Sequence, residues 1–144
     1  MSLPATDRPV LWSSPEREAL FARWLAPLIA PQALLPQTLR IASADASFRR
    51  YLRIDTAGGE TRIVMDAPPD KENCQPFVHV ASLMQAAGLR APAVLDWQRE
   101  DGFMLLTDLG DQTMMSAIDA DNPQANQALY LQAVDTLVQW QQAS

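Results

Sequence analysis

Between Ser43 and Arg53 the sequence reads Ser-Ala-Asp-Ala-Ser-Phe-Arg-Arg-Tyr-Leu-Arg, which places three of the chain's ten arginines within five positions, behind a run of small residues. Guanidinium groups present fixed forks of N–H donors that suit phosphate or carboxylate oxygens. A small-residue turn with arginines on the strand that leaves it is suited to bending over an anionic ligand. The alternative is a charged strand face paired with surface acids. The chain is acidic, with formal net charge −6 and pI near 4.6, so such a local excess of positive charge calls for a partner. The same balance argues against a general binder of nucleic acid or anionic membrane. Lys71 is the only lysine, and neither Gly-x-x-x-x-Gly-Lys-Ser/Thr nor Gly-x-Gly-x-x-Gly occurs. A P-loop triphosphatase and a standard dinucleotide site are thereby excluded.

Other chemically capable residues carry simpler readings beside the functional one. Asp66 ends an apolar run before Ala-Pro-Pro, where a carboxylate caps a turn or meets a ligand. Asp108 and Asp111 flank Gly110, where they cap a following helix or border a site. His79 lies on a helical stretch. Cys74 precedes that helix, as a packed thiol or one whose pKa the helix lowers. The methionines and the four tryptophans read as packing residues.

Elements that must position these residues follow from period and punctuation. Residues 1–13 are polar and proline-punctuated and read as a loosely held arm. Ser14 before Pro15 is an N-cap followed by a first-turn proline, and Leu20, Phe21, Trp24, Leu25, Leu28 and Ile29 form a helical apolar stripe that Pro31 and Pro36 end. Period two then predicts strands over Thr38–Ser43, Arg49–Asp55 and Thr61–Asp66, the last two joined by Thr56–Glu60 as a turn. In the second strand Leu52 and Ile54 share one face, with Arg49, Tyr51 and Arg53 on the other, so Arg50 and Arg53 point apart. A helix over Gln75–Ala87 buries Phe77, Val80, Leu83, Met84 and Ala87 and stops at Gly88. Two further strands, Ala93–Arg99 and Phe103–Leu106, form a hairpin through Glu100-Asp101-Gly102. Asn122-Pro123 opens a last helix with Leu129, Ala133, Val134, Leu137 and Trp140 on it.

The chain's 144 residues, 48% hydrophobic and 19% charged, fit one soluble domain or one lobe of a larger one. The single cysteine suits a reducing compartment. Met1–Glu18 lacks the pattern of a secretory leader, and Trp24–Leu35 is broken by prolines, so the expectation is a cytoplasmic protein without a membrane span. The fold class is α+β: a five-stranded antiparallel sheet with one helix inserted after the third strand, the small lobe of a protein-kinase-like fold. A helix precedes it, and a hinge with the first helices of a second, helical lobe follows. The expected organisation is an arm at 1–13, a nucleotide-binding lobe at 14–109, and the hinge with the start of the second lobe at 110–144.

Three segments then carry a resemblance: Ser43–Arg53 as "SADASFRRYLR", Val64–Pro69 as "VMDAPP" and Leu105–Gln112 as "LLTDLGDQ". Together they resemble the aminoglycoside-phosphotransferase-like kinases, and within these the bacterial enzymes that phosphorylate the anomeric hydroxyl of N-acetylmuramate and N-acetylglucosamine during cell-wall recycling. The resemblance implies ATP and Mg²⁺ as cofactors and a small amino sugar as acceptor, with no nucleic-acid or membrane partner. It implies that Ala44, Asp45, Ser47, Phe48, Arg49 and Arg50 form the phosphate-covering loop. Ser47 and backbone N–H groups would donate to phosphate oxygens while an arginine neutralises charge. Leu106, Thr107, Asp108 and Leu109 would be the hinge that pairs with the adenine edge, under a roof of Val64 and Leu52.

Two departures from the family pattern stand out. Ala44 and Ala46 replace covering-loop glycines, and Met65 stands where such folds place a third-strand lysine, so Arg50, Arg53 or Lys71 must substitute. The aspartate base and the metal ligands of kinase-like transfer are expected in the second lobe, so this chain is read as holding no catalytic or metal-binding residue and as inactive alone. Another small-molecule kinase of this fold, for an aminoglycoside, choline or homoserine, and a non-catalytic kinase-like module are the competing readings.

Overall fold

The computed structural model describes residues 9–44 and 48–143. Helix α1 (Pro15–Gln32) leads into β1 (Leu34–Ala44), β2 (Arg50–Thr56) and β3 (Thr61–Asp66). Then come α2 (Gln75–Ala86), β4 (Val94–Gln98), β5 (Phe103–Thr107), the single turn α3 (Met114–Ala117), a 3-10 turn at Pro123–Asn126, and α4 (Gln127–Ala143). The strands form one antiparallel sheet in the order β1-β2-β3-β5-β4. The expected α+β fold class and the helix inserted after the third strand are both present.

Alternation along the strands divides the core in two. Leu52, Ile54, Val64, Phe103 and Leu105 face α1 and pack on Phe21, Trp24 and Leu25. On the opposite face Met65, Met104 and Leu106 meet Cys74 and the Phe77 and Val78 side chains of α2. Being covered on both sides, β5 buries Phe103 through Leu106, which explains its unbroken apolar run. Trp24 stacks on Phe103 at 5.4 Å between centroids and donates its indole N–H to Asp96 at 2.7 Å, satisfying its one polar group.

Several boundaries differ from the sequence reading, each for a local reason. Ser14 caps α1 as expected, its hydroxyl accepting from Arg17 N at 3.1 Å. The helix nevertheless runs through Pro27 and Pro31 to Gln32 and ends on Ala33 in the left-handed conformation. Both prolines lie on the exposed face, where a carbonyl left without its N–H partner is hydrated. Strand β1 starts four residues earlier than expected. Its pairing with β2 slips between Leu35 and Arg40, around Pro36, and Thr38 Oγ1 bridges the gap by accepting from Asp55 N at 2.8 Å and donating to Leu35 O at 2.6 Å. In α2 it is Phe77, Val78 and Ala81 that face the sheet, while Val80 and Leu83 stay exposed. Gly88, at φ 78°, does end that helix region. On α4, Leu131, Val134, Leu137 and Val138 are exposed, leaving an apolar face uncovered among the described residues. No described helix is long and apolar enough to cross a membrane.

The arm is not loose where it is described. Trp12 packs on Phe21 at 4.6 Å, and the Arg50 guanidinium lies 4.6 Å from the Trp12 ring centroid while donating to Leu11 O at 2.5 Å. Arg50 Nε also donates to Asp66 Oδ2 at 2.8 Å. The other oxygen of Asp66 accepts from Arg17 Nε at 3.1 Å and Nη2 at 2.7 Å. Arg17 continues to the carbonyls of Asp101 and Gly102 in the β4–β5 hairpin and lies 3.9 Å over the Phe103 ring. Asp66 is thus not a turn cap: it is a 5%-exposed carboxylate between two guanidiniums. Asp66→Ala leaves both uncompensated and is expected to destabilise the chain by about 3–5 kcal/mol. Urea denaturation followed by tryptophan fluorescence measures this, and a loss below about 1 kcal/mol would contradict the assignment.

Candidate functional site

A cavity of about 420 Å³ opens on the α2 side of the sheet, at the end where β5 leaves it. Its size is that of a small-ligand pocket. Tyr51 and Arg53 of β2 and Ile63 of β3 form one wall, as the odd-numbered faces of adjacent strands. Leu106 and Thr107 end β5 at its floor, and Asp108 through Asp111 turn along its rim. A second register slip in β1, between Ile41 and Ser43, brings Ala42 and Ser43 together onto the pocket's edge. An extra residue of this kind re-aims side chains beside functional sites. Phe77 of α2 supplies an aromatic flank.

The most organised group here is the Asp108 carboxylate, with only 6% of its side chain exposed. Its Oδ2 accepts from Arg53 Nε at 2.6 Å and from the Thr61 hydroxyl at 2.6 Å. Its Oδ1 accepts from Gly110 N at 2.8 Å and Arg53 Nη2 at 3.2 Å. The Arg53 hydrogen bond, joined by Thr61 and Gly110 N and opposed by burial, holds the carboxyl at about 2, below its ordinary 3.8. Reciprocally, Asp108 raises Arg53 above its ordinary range. Gly110 turns the chain at φ 98°, and α3 is capped not by either aspartate but by Thr113, whose hydroxyl accepts from Ser116 N at 3.2 Å.

The residues singled out from the sequence fall into three groups. Arg53, Leu106, Thr107, Asp108 and Leu109 line the pocket. Val64 does not: strand alternation turns it, with Leu52, into the α1-side core at 0% exposure, and Ile63 takes the wall position instead. Arg50 likewise faces α1 and is bound to Asp66 and Leu11 O. Arg49 reaches Glu72 at 3.2 Å and lies 5.7 Å from the Phe77 ring centroid, near the pocket without lining it. Phe48 is 64% exposed, with Lys71 Nζ 4.8 Å from its ring centroid. Both border a separate hollow on the α1 face, so Lys71 does not take the place of the strand lysine in this pocket. Ala44 ends β1 opposite Arg50. Asp45 and Ser47 lie outside the described residues.

Met65, at the expected lysine position, is fully buried with its sulfur 3.9 Å from that of Cys74. Burial, the largest influence, pushes the Cys74 thiol up, contrary to the activated reading. Tyr51, Ile63 and Thr61 are the additions that sequence reasoning missed. Tyr51 and Ile63 were readable from alternation once the pocket face was known, whereas Thr61 depends on a 47-residue separation to Asp108.

Residues 38–144 match the phosphotransferase enzyme family. The chain belongs to that family. Among curated relatives, the N-acetylmuramate/N-acetylglucosamine kinase of Pseudomonas aeruginosa is 42% identical over 113 residues, 78% of this chain and 31% of that protein. Its namesake in Pseudomonas putida is 44% identical over 104 residues, covering 72% and 30%, respectively. That of Neisseria meningitidis is 35% identical over 133 residues, covering 90% and 37%. The chain therefore spans about a third of the length of the relatives it matches.

Because the folded Asp108 pKa is depressed from 3.8 to about 2, its ion pair stabilises the fold above the ordinary carboxylate range and is lost as pH falls from about 4 to 2. The stability gap between the wild type and Asp108→Asn is expected to shrink by on the order of 2 kcal/mol between pH 5 and pH 2. Urea titrations across that range read it out; a pH-independent gap would remove the ion pair from the folded state's acid response.

Proposed function

We propose that this chain is the ATP-binding lobe of a small-molecule kinase, and that the parent protein phosphorylates the anomeric hydroxyl of N-acetylmuramate or N-acetylglucosamine. The observation that carries the reading is the pocket between the β1 bulge, the odd-numbered faces of β2 and β3, and the segment leaving β5. In a kinase-like small lobe this is where a purine lies with its edge on the connecting segment. The names of the relatives supply the acceptor. Leu106–Leu109 would present backbone groups to adenine between Ile63 and Leu106, with Tyr51 and Phe77 flanking. The β1–β2 connection, including Asp45 and Ser47, would extend over the phosphates.

The proposed organisation is an arm at 1–13, the nucleotide lobe at 14–109, and the first helices of a second lobe at 110–144, whose remainder would cover the exposed face of α4. Transfer to an acceptor needs in-line positioning and charge neutralisation at the phosphoryl group, and the magnesium ion supplies much of the latter when bound. Its ligands are proposed to belong to the second lobe, as the kinase-like transfer mechanism places them. The buried free thiol of Cys74 and the need for ATP favour a cytoplasmic setting.

A second reading, a non-catalytic nucleotide-binding module, draws on the buried Met65 at the expected lysine position. Turnover separates the two. The full-length protein is expected to consume ATP with N-acetylmuramate or N-acetylglucosamine and to give a sugar 1-phosphate identifiable by ³¹P NMR, while residues 1–144 alone give none. Binding without turnover on any sugar would favour the module. In the full-length protein Ile63→Trp is expected to weaken ATP binding at least about tenfold by filling the pocket, as measured by calorimetry. Unchanged affinity would place the nucleotide elsewhere.

A further inference from the structure

Arg53 was a natural candidate for a phosphate contact, because it projects from the strand that follows the arginine-rich turn. Its surroundings assign it differently. The Nε and Nη2 atoms both engage Asp108, at 2.6 and 3.2 Å, and the pair is largely shielded, with 16% and 6% of the side chains exposed. Turning Arg53 toward a phosphate would strip its counter-charge from a nearly buried carboxylate, and breaking such a pair costs more than a new charge-assisted hydrogen bond returns.

Thr61 makes the arrangement more specific. It opens β3, where valine would satisfy the strand equally well. Its hydroxyl donates to Asp108 Oδ2 at 2.6 Å. The carboxylate therefore has four donors: two from Arg53 of β2, one from Thr61 of β3, and one from Gly110 N of the connecting segment itself. The segment's own side chain is bolted to two sheet strands, and its backbone then turns at Gly110 with φ 98°. Asp108 has no oxygen left over for a ligand, so what this stretch offers the pocket is backbone held in one place.

We infer that Arg53, Thr61 and Asp108 act as one positioning unit that fixes the Leu106–Gly110 segment for the base of the nucleotide, and that Arg53 serves the base end of the pocket and not the phosphates. This rests on the nucleotide reading given above. Thr61 and Arg53 are positioning residues: they act through Asp108 and the backbone it holds.

The test uses the full-length protein and compares adenosine with ATP by calorimetry, well below the melting temperature of each variant. Thr61→Val is expected to weaken both ligands by the same factor, about tenfold, on the scale of one hydrogen bond to a charged group. Thr61→Ser restores both, and Arg53→Met weakens both in parallel. Equal melting temperatures for the Val and Ser variants would separate positioning from simple destabilisation. A variant that loses ATP affinity with adenosine unchanged returns Arg53 to the phosphates and overturns the inference, as do unchanged affinities for both ligands. Should Arg53→Met fail to fold, the near-isosteric Thr61→Val carries the test alone. Wild-type protein that binds neither adenosine nor ATP would sink the nucleotide reading itself, an outcome distinct from wild-type binding with unaffected variants.

Discussion

One carboxylate, Asp66, ties the parts of the fold together. It ends β3 and receives Arg17 from α1 and Arg50 from β2. Through Arg17 it reaches the β4–β5 hairpin, and through Arg50 the described end of the arm. Two guanidiniums on one buried acid are stable only if each has further acceptors, and both do: carbonyls of the hairpin for one, Leu11 O for the other. The aromatic rings of Phe103 and Trp12 cover the two cations. Five separate stretches of chain must therefore be correctly placed at once for any one of these charges to be satisfied. Gly102 is part of the same junction. It takes φ 75°, and a Cβ there would stand 2.0 Å from Ala67 O, so the hairpin approaches the end of β3 more closely than any side chain permits.

The sheet has two working faces, and the division of labour follows from the strand period alone. Even-numbered residues of β2 and β3 turn toward α1, where Leu52, Ile54 and Val64 join a core closed by aromatic packing and Arg50 and Asp66 pair beside it. Odd-numbered residues turn toward α2, where that helix leaves part of the sheet open and the pocket forms. Rigid packing behind the pocket is what lets a few polar groups at its rim keep fixed positions.

Much of this was legible in the sequence. The strand pair Arg49–Asp55 and Thr61–Asp66 could be placed to within a residue, because Leu52 and Ile54 alternate with charges and a Gly-Gly turn separates the runs. The helix N-cap at Ser14 was equally plain. What could not be read was long-range. Pro31 looked like a stop because a proline's missing hydrogen bond is visible in sequence, whereas the solvent that accommodates it is not. The α2 stripe was misread because Val80 and Leu83 fit a helical period as well as Ala81 does, and only the position of the sheet decides between them. Of the residues singled out, Arg53 and the connecting segment Leu106–Leu109 do line the described pocket. Val64 was assigned to the wrong face, since an apolar residue on a central strand is apolar whichever side it points to. The partners of Arg50, Arg53 and Asp66 lie 16 to 55 residues away, and no spacing rule links them.

The two outer strands have a further consequence. Among the described residues, β1 and β4 are the outer strands and each leaves one side of its backbone without a neighbouring strand, the arrangement through which sheets recruit copies of themselves. β1 is eleven residues long, yet Pro36 and two slips of register break it into short lengths. β4 is five residues long, follows Pro92, and carries Asp96 beside its own irregularity. Neither offers the long flat ladder on which a fibril grows. The same register slip that brings Ala42 and Ser43 onto the pocket's edge thus also interrupts an outer strand, so that one adjustment of the backbone both shapes the pocket and shortens the ladder a neighbouring strand could pair with.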